Sequence, residues 1–375
     1  MRLKSVVYAV SACVALCCDP ISAAGESDPM TIGLVLPLTG EAAHWGIPPR
    51  NGAELAAAEI NNHGGVARRK LALMVEDDRC NPADGIAAFE KIMAATNTPA
   101  ILGAVCSSVT LAIAPHAESR KAVLISPAST SPRLTGAGEF IYRVIPSGSL
   151  RGKVFAEYVY RDRGLRKVAV LYINNEGGIG GSSSFKQRFL ELGGTVALEE
   201  AYPQGRLDLR AELAKLKAAD PEGVLFGSYP PDTVAILKQA RELQFDKPLF
   251  FTTEAAQNPD VLREAGDAAN GAVYILAAAP VGEAPDRFRQ AYTAKFGHAP
   301  ELFAAEGYDI VRLLADAIAG EKTPPSGVSI RDFLRQVRNY AGASGTITFD
   351  ENGDVTKPYA IRVIEAGSPK TLVVK

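Results

Sequence analysis

From Ile32 onwards the chain alternates short apolar runs with amphipathic stretches, and no other property limits its fold so severely. Residues 32–36 read as a strand. After a loop, residues 52–60 space their apolar side chains for a helix that stops at His63-Gly64-Gly65. The cycle repeats as strand 71–75, helix 82–96, strand 100–105, helix 108–119 and strand 122–126, followed by an irregular segment to Arg143. A second set comprises helix 150–163, strand 167–173, helix 182–192, strand 195–202, helix 209–219, strand 223–227, helix 231–243 and strand 248–252. Helices of this length between strands imply parallel pairing, and parallel sheets are covered on both faces. Because the series runs twice, two such sheets are expected. After residue 280 the pattern turns helical near 285–296, 301–319 and 328–339. Residues 346–349 and 359–363 then read as strands around the turn Glu351-Asn352-Gly353-Asp354.

A chain of 375 residues is too long for one ordinary core, and 47% apolar with 22% charged residues excludes disorder, so two to three domains are expected. The 40 Lys+Arg against 42 Asp+Glu leave no excess to hold nucleic acid or an anionic membrane surface. Nucleic acid is therefore not an expected partner.

The first residues read as an address. Arg2 and Lys4 precede an apolar stretch from Val6 to Cys18, and Ser22-Ala23-Ala24 offers small residues to a signal peptidase. Residues 1–24 are thus expected to be a secretory signal peptide, too short in its apolar run for a membrane span. Val10-Ser11-Ala12-Cys13 loosely resembles a lipoprotein cleavage box, but little apolar chain precedes Cys13, and lipid anchoring is not expected. Cleavage would remove Arg2, Lys4 and Asp19, leaving 38 basic and 41 acidic residues, and would remove Cys13, Cys17 and Cys18. Cys80 and Cys106 would remain in a compartment that permits disulfides, either bridged or as free thiols.

Ligands of open parallel sheets bind beyond the carboxyl ends of strands, so the loops there are where to look. Strand 100–105 is followed by Cys106-Ser107-Ser108-Val109-Thr110, a helix start that suits an anion, although Ser107 could equally be a simple cap. Strand 122–126 is followed by Pro127-Ala128-Ser129-Thr130-Ser131-Pro132, stiffened at both ends by proline. Strand 248–252 is followed by Thr253-Glu254-Ala255, an acid that must be either solvated or paired.

These segments, with Leu38-Thr39-Gly40, Trp45-Gly46, Glu59-Ile60-Asn61, Asp77-Asp78-Arg79-Cys80-Asn81-Pro82 and Gln239-Ala240-Arg241, carry a family resemblance in their order and spacing. From Thr31 to about Val363 the chain resembles the periplasmic branched-chain amino-acid-binding proteins of bacterial ABC transporters, similar to the leucine/isoleucine/valine-binding protein. The resemblance implies a type I periplasmic binding fold: two Rossmann-like α/β lobes with parallel sheets, joined by three hinge crossovers, with the ligand enclosed between them. By analogy one lobe is 25–146 plus 279–348 and the other is 147–278 plus 349–375. It also implies a Cys80–Cys106 disulfide. It places Ser107 and Thr130, through hydroxyl and backbone N–H groups, on the ligand's α-carboxylate, and the Ala128 carbonyl, the Thr130 hydroxyl and Glu254 on its α-ammonium. Each of these groups, left unmet in a closed site, would cost about 1–3 kcal/mol or more. Trp45, Tyr229 and Phe303 match positions that touch the ligand's apolar side chain, core packing being the other reading of Phe303. The chain departs from the family at Asn174-Asn175-Glu176-Gly177-Gly178-Ile179-Gly180-Gly181, where Gly178 or Ile179 stands at the place of a tyrosine and would enlarge or reshape the pocket. Leucine, isoleucine and valine are then joined by larger candidates such as phenylalanine.

Catalysis, cofactors and metals are not expected. His44, His63, His116 and His298 are not spaced as metal pairs, the glycine run at 177–181 is not the dinucleotide fingerprint, and residues 350–354 lack the downstream glutamate of a calcium loop. The expected role is that of a monomeric extracytoplasmic receptor that captures an amino acid and hands it to an inner-membrane permease. The alternatives are a binding protein of the same fold for an amide or aromatic carboxylate, or a soluble sensory component.

Overall fold

The computed structural model describes residues 28–96, 98–320 and 325–375; the expected signal peptide, residues 1–24, lies outside them. The first half runs β1 (Met30–Leu36), α1 (Ala43–Asn62), β2 (Leu71–Asp77), α2 (Pro82–Thr96), β3 (Ala100–Gly103), α3 (Ser107–Arg120), β4 (Val123–Ser126) and β5 (Ile141–Arg143). There follow α4 (Gly148–Glu157), β6 (Lys167–Ile173), α5 (Glu176–Glu191), β7 (Thr195–Tyr202), α6 (Arg210–Ala218), β8 (Gly223–Gly227), α7 (Pro230–Glu242), β9 (Leu249–Phe251), α8 (Pro259–Ala265) and β10 (Val273–Ala277). The last part holds α9 (Glu283–Phe296), α10 (Ala304–Ala319), α11 (Gly327–Gln336), β11 (Tyr340–Gly342), β12 (Gly345–Ile347), β13 (Tyr359–Glu365) and β14 (Ser368–Val374).

Two large sheets form. One has the order β2-β1-β3-β4-β5 and is parallel throughout. The other has the order β14-β13-β10-β9-β8-β6-β7; it is parallel from β10 to β7, but β13 and β14 join antiparallel. The expectation of purely parallel sheets is corrected there: β14 returns beside β13 through the tight turn at Ala366-Gly367, where no helix intervenes. The strands expected at 346–349 and 359–363 are likewise not partners of each other. β12 pairs with β11, while Phe349 and Val355 form a single bridge closing the turn at 351–354.

Helices cover both faces of each sheet. On the first, Ala53, Ala56 and Ala57 of α1 pack with Ile310, Val311 and Leu314 of α10 on one side, while Phe89 and Ile92 of α2 and Val109 and Ile113 of α3 pack on the other. Helix α1 begins nine residues before the expected position and contains Pro48 and Pro49. It crosses α10 so closely that a Cβ on Gly52 would stand 1.9 Å from the Ala304 carbonyl oxygen, and one on Gly307 would stand 2.1 Å from that of Pro49. Glycine is what allows the two backbones to touch. On the second sheet, Phe155, Phe185 and Phe189 of α4 and α5 fill one side, and Leu213, Ile236, Leu237 and Val261 of α6, α7 and α8 fill the other.

Candidate functional site

Each sheet reverses its winding once. In the first, β1 and β3 are neighbours and their following helices α1 and α3 lie on opposite faces; in the second, the same holds for β6 and β8 with α5 and α7. Loops at the carboxyl ends of such strands part and leave a crevice. The two crevices face one another and share a cavity. From the first sheet it receives Trp45 beyond β1, Cys106 and Ser107 beyond β3, and Ala128 and Thr130 beyond β4. From the second it receives Gly177 beyond β6, Tyr229 beyond β8 and Glu254 beyond β9, with Arg151 of α4 and Phe303 at the start of α10 completing the wall.

A buried hydroxyl network holds the first group. Ser126 donates to the Ala104 carbonyl (2.6 Å) and accepts from the Ser129 N–H (2.9 Å), while Ser129 donates to the Val105 carbonyl (3.0 Å). The Ser107 hydroxyl oxygen accepts from the backbone N–H groups of Thr130 and Ser131, each at 3.2 Å. Satisfied polar groups of this kind fix the two loops relative to each other. The Cys80–Cys106 bond, with its Cα atoms 5.6 Å apart, ties the N-cap residue of α3 to the loop beyond β2, as the resemblance implies.

The second group is anchored as firmly. Thr253 donates to the Ser228 carbonyl (2.8 Å) and caps the short turn that Glu254 opens, leaving the Glu254 side chain 17% exposed. Tyr229 is the N-cap residue of α7, and burial pushes its phenol up to about 12, so it remains a neutral donor. Its ring meets that of Trp45 edge-on at 4.5 Å, a contact joining loops of the two sheets. Phe303 has φ +69°, a left-handed conformation unusual for a bulky residue. That backbone lets its side chain line the cavity and pack on the first core together, so both readings of this residue describe part of its place. A second contact joins loops of the two sheets, where Glu176 accepts from Arg133 (2.6 Å) and from the Ser131 hydroxyl (3.2 Å).

Neither Gly178 nor Ile179 lines the cavity. Asn175 caps α5 six residues earlier than expected and accepts the Gly178 N–H at 3.0 Å, and a Cβ on Gly178 would lie 2.2 Å from the Ile173 carbonyl oxygen. Its Cα thus faces β6, and Gly177 faces the cavity instead. A Cβ on Gly177 would stand 2.7 Å from the Tyr229 hydroxyl, so that hydroxyl occupies the room beside it.

Arg151 was not foreseen. Its side chain is 8% exposed; Nη2 donates to the Thr130 hydroxyl oxygen at 3.3 Å, Nη1 lies 3.8 Å from the Glu254 carboxylate, and Nε has no partner. One signal was available: a cation in the first turn of a helix opposes the macrodipole and needs another reason to be there. Among the described residues, no group of three or more His, Cys, Asp or Glu could hold a metal ion, and no helix is long and apolar enough to cross a membrane.

A family model described as "Periplasmic binding protein" matches residues 29–369. The "Leucine-, isoleucine-, valine-, threonine-, and alanine-binding protein" of Pseudomonas aeruginosa is 30% identical over 336 residues, covering 88% of each chain. Among solved structures, the leucine binding protein LivK of Thermotoga maritima superposes with a TM-score of 0.83 at 29% identity, covering 92% of this chain and 98% of that one. The branched-chain amino acid transporter substrate binding protein LivJ of Streptococcus pneumoniae, solved with isoleucine, gives 0.83 at 25% identity, covering 93% and 99%.

Proposed function

The chain belongs to the periplasmic binding protein family, and on that premise we propose that it is the extracytoplasmic solute-binding component of an ABC importer. It captures a branched-chain or other apolar amino acid between two lobes that close on it, and delivers it to an inner-membrane permease. The observation that carries this reading is the meeting, in one cavity, of Ser107 and Thr130 from one sheet with Glu254 and Tyr229 from the other. A zwitterion needs donors at one end and acceptors at the other, and an apolar side chain needs a dry wall, here Trp45, Ile145, Leu302 and Phe303. With its ends on different sheets, the ligand stabilises the closed form over the open one.

The lobes we propose are 25–146 plus 279–348 and 147–278 plus 349–375, with one refinement. Phe349 and Val355 pack in the first core, which supports moving the third crossover from 348/349 to just beyond Val355. Acting as a receptor, the protein works without catalysis or cofactor, as a monomer, in the periplasm after loss of residues 1–24.

Calorimetry with a panel of amino acids, amides and aromatic acids, on wild type and Glu254→Gln, tests the function. At least one apolar amino acid is expected to bind, and the substitution should cost roughly 3–5 kcal/mol by leaving a buried ammonium unpaired. If the variant bound within a few-fold of wild type, or if only amides or aromatic acids bound, the amino-acid reading would be wrong.

A further inference from the structure

We propose that Arg151 is a ligand-binding residue, the counter-ion of the ligand's carboxylate, and that Thr130 serves this same end of the ligand. The proposal rests on the reading that the shared cavity is the ligand site. Its first support is that the residues the first sheet gives to the cavity include no cation. The Thr130 N–H, expected to serve the carboxylate, already donates to the Ser107 oxygen at 3.2 Å, and the Ser107 hydroxyl has one hydrogen left to give. A carboxylate enclosed there would meet the Ser107 hydroxyl and the first N–H groups of α3, which are neutral donors and leave its charge without a counter-ion.

Arg151 has donors to spare. A guanidinium carries five N–H groups in a rigid fork. Here one is used at 3.3 Å on Thr130, Nε has no partner, and the approach to Glu254 at 3.8 Å is beyond hydrogen-bond length. A cation buried to this extent, met by one hydroxyl and by a carboxylate beyond hydrogen-bond length, gains from a closer anion.

The charges complete the case. Arg151 and Glu254 are the two charged side chains lining the cavity, one of each sign. A zwitterion placed with its carboxylate toward Arg151 and its ammonium toward Glu254 pairs every charge. The loose Arg151–Glu254 contact is then exchanged for two closer ones. Thr130 follows, because a hydroxyl whose oxygen accepts from a guanidinium keeps its own hydrogen to donate, which suits a carboxylate better than an ammonium.

The test is calorimetry on wild type, Arg151→Gln and Arg151→Lys. The probes are leucine and phenylalanine, their amides, and the acids lacking the amino group, 4-methylpentanoate and 3-phenylpropanoate. The proposal expects Arg151→Gln to weaken the amino acid by about 30-fold or more, to weaken the matching amide by less than about threefold, and Arg151→Lys to recover part of the loss. Equal losses for amino acid and amide would make Arg151 a strut between the lobes and overturn the proposal, as would an unchanged affinity for the amino acid. If wild type bound the acids and not the amino acids, with Arg151→Gln abolishing that binding, Arg151 would stand and the amino-acid function would fall. Failure of every probe to bind wild type at millimolar concentration would remove both.

Discussion

Asp78 lies fully buried just beyond β2, with one carboxylate oxygen accepting the Cys80 N–H at 2.7 Å and the other without a partner. Burial pushes its pKa up to about 7 against the opposing pull of that N–H, and the nearby Asp77 and Asp84 push the same way. The fold therefore favours the protonated carboxyl. Its contribution to stability is fully present below the ordinary carboxylate range near 4 and is lost as pH rises through about 7. Asp78→Asn, which cannot ionise, should gain on wild type by a few kcal/mol between pH 4 and pH 8. Urea unfolding midpoints at several pH values would show it, and a constant difference would refute it. Ser107, Thr130 and Glu254 were legible in the sequence because each follows the carboxyl end of a recognisable strand, where the chain has little freedom to be elsewhere. Gly178 was misplaced by one residue, and on a helix one residue is about 100° of rotation. Arg151 stayed hidden because its partners, Thr130 and Glu254, are 21 and 103 positions away along the chain and meet it only through packing.

On the proposed function, helix α3 serves both stability and recognition. Its N-terminus carries Ser107 into the cavity, and the disulfide at Cys106 pins that N-terminus across a sequence separation of 26 residues. A closure of this length is worth about 3 kcal/mol. Replacing both cysteines by serine should lower the melting temperature by several degrees and weaken ligand binding as well. Scanning calorimetry with and without ligand separates the two effects; an unchanged affinity would mean the hydroxyl network alone fixes the loop. Most elements were legible from periodicity. Among the exceptions, which include β5 and α8, α5 opens with Glu176-Gly177-Gly178, which discourages a helix until Asn175 is seen to cap it, and β10 is a short buried run with no alternation to mark it. Strand β14 exposes most of its residues at a sheet edge, and β11 is three residues long.

At the scale of the molecule, the Trp45–Tyr229 contact spans the cavity, and Trp45 is the one tryptophan in the chain. Saturating a binding amino acid should change its fluorescence along the same titration curve as the calorimetric heat, displaced to higher concentration in Glu254→Gln. Heat without any change in emission would mean that the cavity does not tighten around this pair. The interleaving of the two cores reaches further, into how the protein is made. The first core draws on residues between Met30 and Val144 and again between Ile310 and Val355, and the sheet of the second is closed by β13 and β14 at the end of the chain. Neither half can finish folding until distant residues have been joined, those from Ile310 to Val355 for the first and those from Tyr359 to Val374 for the second. A chain that stopped near residue 300 would therefore yield no intact half.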